Sequence, residues 1–75
     1  MDKKSIHEAN TYIICLDEVL DEKWREYFSP FSVTVCDKET KLIGIVHDQA
    51  ELLGVILKIR DLGLRLLSVN PITEE

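Results

Sequence analysis

The stretch from His47 to Val69 constrains the fold more than any other part of the chain. Asp48 is placed as an N-cap, because its carboxylate can accept from backbone N–H groups left unpaired at a helix start. Glu51 follows three residues later, so an acidic capping box is expected, with Glu51 reaching back to the Asp48 N–H. Leu52, Val55, Ile56, Ile59 and Leu62 then recur at i, i+3, i+4, i+7 and i+10, one continuous helical face. Lys58 and Arg60 sit where cations complement the negative end of the helix dipole. Gly63 supplies the left-handed conformation that ends many helices. Leu64 to Val69 resumes as a strand, and Pro71 is expected to stop it, since proline cannot donate to a sheet ladder.

A second apolar row lies beside the first: Ala50, Leu53 and Leu57, with Gly54 between them. A helix that only covers a sheet needs one stripe, so this row requires a neighbour of its own. Either a second helix on the same sheet face or a partner chain would supply it.

The remaining elements follow in order. Met1 to Asn10 is polar apart from Ile6 and Ala9 and reads as a loosely held tail, His7 within it a solvated histidine. Thr11 to Leu16 (TYIICL) is β-branched and aromatic and has the length of a strand. Both parities are apolar, so it is expected to be central and covered on both sides. Asp17 to Glu26 is acidic. Asp21 is placed to cap a short helix running to about Phe28, with Leu20, Trp24, Tyr27 and Phe28 on one face. Ser29-Pro30 breaks that helix. Phe31 to Cys36 alternates strictly, as an edge strand with a wet face would. Asp37 to Thr40 is a polar hairpin connection. Lys41 to His47 (KLIGIVH) is again apolar on both faces, and Gly44 within it marks a bulge or a close backbone approach.

Strand, helix, strand, strand, helix, strand is the order of the ferredoxin-like split βαβ arrangement. The predicted class is therefore α+β, with a four-stranded antiparallel sheet and both helices on one face. The domain is expected over residues 11–70, between tails at 1–10 and 71–75. In this fold the first and third strands, 11–16 and 41–47, become the central pair, and these are the two that are apolar on both sides. Which parity faces the helices stays open. Either choice leaves apolar side chains on the bare face: Ile13 and Cys15 with Ile43 and Ile45, or Tyr12 and Ile14 with Leu42 and Val46. The last strand adds Leu67 and Val69, or Leu64 and Leu66. Such a surface exceeds what monomers usually expose, which points to a homodimer that buries the open sheet faces together about a two-fold axis.

Size supports that expectation. A chain of 75 residues has room for one small core, and below about 70–80 residues such cores rarely supply more than about 3–5 kcal/mol. The net charge of −5, from 14 acidic and 9 basic residues, disfavours nucleic acid as a partner, because phosphate binding draws on clustered Lys and Arg. Tyr12 and Phe31 alone among the strand residues could stack bases. No apolar run spans a bilayer, no polybasic run suits a membrane surface, and the start does not read as a signal peptide. The cytoplasm is the expected compartment.

Catalytic, cofactor and metal signatures are not discernible. Cys15 and Cys36 lack CxxC spacing and read as reduced thiols. Two lone cysteines and two lone histidines do not make a zinc site. His47 beside Asp48 is the best enzymatic candidate, with Cys15 or Cys36 as a distant thiol. Neighbours on an extended chain point opposite ways, however, so His47 is read instead as the residue before the cap, packed on Leu52 as a staple.

Gly44 to Val69, GIVHDQAELLGVILKIRDLGLRLLSV, resembles a set of small uncharacterised microbial proteins that share G-x-V-x-D-Q-A-x-L-x-G-x-L-x-x-I-R-D-L-G-L-x-L-L-S-V. That resemblance implies the fold and a soluble location, and no activity. Asp48-Gln49-Ala50-Glu51-Leu52-Leu53 also looks like the D-x-P-G-L-L helix start of ACT domains, ligand-sensing modules with the same element order. Ala50 and Glu51 stand where that motif has proline and glycine, so no ligand residue carries over. What the likeness implies is a small-molecule ligand, an amino acid for instance, as the alternative to a pure interaction module.

Overall fold

The computed structural model describes residues 10–72. The expected tail up to Ala9, with His7, lies outside the described residues, as do residues 73–75. The elements are β1 (Asn10–Leu16), α1 (Lys23–Tyr27), β2 (Ser32–Cys36), β3 (Glu39–Val46), α2 (Gln49–Asp61) and β4 (Leu66–Ile72). The four strands form one antiparallel sheet in the order β2-β3-β1-β4. The chain is an α+β fold in which β1 and β3, the strands apolar on both parities, are the inner pair.

Register and burial together decide the parity that the sequence leaves open. Ile14 pairs with Leu42, and Leu16 with Thr40. All four are buried, together with Val46. They form the core with Leu20, Phe28 and Phe31 from the β1–β2 connection and Ile59 from α2, and Leu52, Val55, Leu62 and Val69 pack against it. Ile13, Cys15, Ile43 and Ile45 therefore point to the other face.

The helix α2 is built as its sequence directs. Asp48 is extended, with φ −158°, and its side chain accepts from the Glu51 N–H at 2.9 Å. At the other end Leu64 N–H reaches Ile59 O at 3.1 Å and Gly63 N–H reaches Arg60 O at 2.9 Å. Those are the two bonds of a Schellman stop, and Gly63 has the positive φ, 74°, that it requires. The capping box differs in one respect. Glu51 Oε1 accepts from the N–H of His47, not of Asp48, at 2.8 Å, so the carboxylate secures the residue before the cap.

Five other expectations are corrected. First, α1 is shorter than expected, and Asp21 does not cap it through its side chain. Glu22 precedes the helix in helical conformation with no side-chain cap, and Trp24 N–H bonds the Asp21 carbonyl at 3.1 Å. Second, Thr40 is no part of the turn. The β2–β3 turn is Asp37-Lys38 alone, flanked by the Cys36–Glu39 pair, with Asp37 at φ 59°.

Third, Pro71 does not stop β4, which starts two residues late and runs through Pro71 opposite Tyr12. An outermost strand tolerates proline, so Pro71 and Ile72 belong to the sheet, not to a tail. Fourth, β4 does not alternate cleanly. The ladder shifts between Cys15 and Leu16, whose partners are Ser68 and Leu66, and Leu67 is the extra residue of a bulge. Val69 thus sits opposite Ile14 on the core side, and the other face receives Ser68, Asn70 and Ile72.

Fifth, of the two neighbours that could cover the Ala50, Leu53 and Leu57 row, a second helix does not do so among the described residues. With only five residues in α1, Leu53 stays 55% and Leu57 37% exposed.

Gly44 has a packing reason. An added Cβ would stand 2.7 Å from Cδ2 and 2.9 Å from Cγ of Phe31, so the close approach is a ring lying on the strand, with no bulge. No helix among the described residues is long and apolar enough to cross a membrane.

Candidate functional site

Two surfaces stand out. The first is the sheet face turned away from the core. Its centre is the cross-strand pair Ile13–Ile43, with Ile45 opposite Thr11 and Ile72 on Thr11's other side. Ile45 is 54% and Ile72 41% exposed. Polar residues surround this patch. Ser32 pairs with Ile43, Thr34 with Lys41, Asn70 with Ile13 and Ser68 with Cys15. The face is thus less apolar than the sequence suggests, because the β4 bulge turns Val69 inward, and its isoleucines gather at one end.

The second surface is a cleft of about 290 Å³ between α2 and the loop that links α1 to β2. Phe28, Pro30 and Phe31 form one wall, and Gly54 and Val55 of α2 the other. Tyr27 and Phe28 meet edge to face with centroids 5.3 Å apart, and Trp24 meets Tyr27 likewise at 5.7 Å. That aromatic run anchors the loop, because Phe28 is buried in the core. The Ser29–Pro30 peptide is cis.

Charged groups mark both ends of the cleft. At one end His47 Nδ1 lies 3.1 Å from Glu51 Oε1, both side chains exposed. The Glu51 carboxyl is held below its ordinary value, first by the hydrogen bond from the His47 backbone N–H and then by the His47 ring. At the other end Lys58 Nζ donates to the Tyr27 carbonyl at 3.3 Å and stands 5.1 Å from the centroid of the Tyr27 ring. His47 pairs with Glu51 along the entry to α2.

The free thiols do not join this arrangement. Cys15 is half-buried beside Lys41 and Cys36 is exposed opposite Glu39. Both lie on the open sheet face, on β1 and β2, with β3 between them. Among the described residues no group of three or more His, Cys, Asp or Glu side chains could hold a metal ion. A wider, open recess beside the β2–β3 turn is lined by Cys36 and by the charged residues Asp17, Asp37, Lys38, Glu39 and Lys41.

The model of a family described as a domain of unknown function, DUF8691, matches residues 11–70. The chain belongs to the DUF8691 family. No curated protein and no solved structure matches it. The matched segment runs from the second residue of β1 to Asn70 in β4, and so includes the cleft and all of the open-face patch except Ile72. The cleft escapes sequence reading because its walls come from residues 28–31 and 45–58, which only the fold brings together. The one local signal was Gly54, a glycine in mid-helix.

Proposed function

We propose that the chain is a non-enzymatic self-associating module on a ferredoxin-like scaffold, working in the cytoplasm as a homodimer through its open sheet faces. The observation that carries this reading is the Ile13–Ile43 pair on the face away from the core, extended by the exposed Ile45 and Ile72. Water on such a patch costs about 25 cal/mol per Å² of apolar area. An apolar centre with a rim of Ser32, Thr34, Ser68 and Asn70 has the composition of an interface. A two-fold axis would set the same patch against itself, as most homodimers do. The acidic net charge of −5 works against a phosphate-backbone partner.

Light scattering on the eluting protein over a micromolar concentration range tests the proposal. The dimer mass is expected, falling to the monomer mass in Ile43→Lys with circular dichroism unchanged, since Ile43 is outside the core. A monomer mass at every concentration would defeat the reading.

A further inference from the structure

Among the described residues nothing requires position 54 to be glycine. It lies inside the 13-residue helix α2, where glycine costs about 1 kcal/mol relative to alanine. A Cβ built there meets no atom of the described residues within 4 Å, and its backbone is not in the left-handed region. The absent side chain instead widens the cleft that Gly54 lines with Phe28, Pro30, Phe31 and Val55. Those neighbours offer an apolar, partly aromatic surface.

The charges at the two ends are not equivalent. Glu51 already accepts from the N–H of His47 and faces the His47 ring at 3.1 Å. Lys58 has three N–H donors, and the hydrogen bond to Tyr27 O uses one of them, at a long 3.3 Å. The cleft therefore has a cation with donors to spare at one end and a committed carboxylate at the other. They stand seven residues apart on one side of α2, about 10 Å along the axis.

We propose that this cleft binds a small monocarboxylic acid, its flat or branched apolar body lying over Gly54 against Phe31 and Val55 and its carboxylate on Lys58. The volume of about 290 Å³ falls just below the range of about 300–1,000 Å³ for ligand sites. That limits the body to a single ring or a short branched chain. The cleft shares Ile45 with the open-face patch, but Lys58, Gly54 and Phe31, on which the proposal rests, lie on the helix side of the sheet.

The test is a two-dimensional amide NMR titration of the whole chain with phenylacetate and isovalerate, each beside its neutral amide at the same millimolar concentrations. The acids are expected to move the Phe31, Gly54 and Val55 resonances, and the amides to bind roughly tenfold more weakly. Lys58→Met is expected to remove the difference between acid and amide. Gly54→Leu is expected to abolish binding of both while the protein unfolds at the same temperature or higher, because leucine is the better helix former. Equal binding of acid and amide, undiminished binding by Gly54→Leu, or no movement with either acid would overturn the proposal. None of these outcomes depends on the mass of the assembly.

Discussion

The ring of Phe31 rests on the backbone of Gly44, so close that a Cβ on residue 44 would come within 2.7 Å of Cδ2. Two of its other ring atoms would lie within 3.1 Å, so the whole ring would have to move. Phe31 is itself buried among core residues and has little room to move. Gly44→Ala is therefore expected to destabilise the fold by about 1–3 kcal/mol, the usual cost of overpacking. Urea unfolding measures it. In a Phe31→Leu background the same change is expected to cost less, because contacting residues do not act additively. Equal cost in both backgrounds would show that the ring is not the obstacle.

Thr40 supplies the second prediction. It is fully buried, and its hydroxyl donates to the Glu18 carbonyl at 2.6 Å while accepting from the Leu20 N–H at 3.1 Å. That one oxygen satisfies two backbone groups of the loop leading to α1. Thr40→Val keeps the shape and strands both groups, at an expected cost of about 1–3 kcal/mol. Thr40→Ser keeps the hydroxyl and should cost less. Chemical denaturation of both variants gives the comparison, and a valine variant as stable as the serine one would remove the hydroxyl from the account.

The turn residue Asp37 is the third. Its φ of 59° lies in the left-handed region, which costs a residue with a Cβ roughly 1–2 kcal/mol. Asp37→Gly is expected to raise the unfolding free energy by up to about 1 kcal/mol, offset by the greater freedom of glycine in the unfolded chain. A thermal melt checks the sign.

Local signals in the sequence were enough for α2 and for the inner strands. Asp48, Gly63 and the spacing of Leu52 to Leu62 act within one helix, and each does its expected work. The apolar parities of β1 and β3 likewise marked them as inner strands. What escaped depends on partners distant in sequence. Thr40 reads as a turn residue until the two-residue turn places it opposite Leu16. Pro71 reads as a stop until β4 proves to lie at the edge of the sheet. The β4 bulge, set by its pairing with β1, decides whether Val69 faces in or out. The cleft depends on an aromatic loop meeting a helix more than twenty residues later, and the only local trace of it is Gly54.

Glu51 contributes a pH dependence to the fold. Its carboxylate accepts from the His47 N–H at 2.8 Å, and its carboxyl is held below the ordinary value of 4.5, first by that bond and then by the His47 ring. The folded state therefore prefers the ionised carboxylate more than the unfolded chain does. The resulting stabilisation is fully present above 4.5. It is lost as pH falls from there through the lower folded value, where the unfolded state takes up its proton first. Glu51→Gln removes the titrating group and is expected to flatten the acid limb of stability below 4.5, while lowering stability at neutral pH. Urea midpoints from pH 7 down to about pH 3 trace both curves. Parallel acid limbs in parent and variant would mean that another carboxylate sets the acid response and that the Glu51–His47 contact does not.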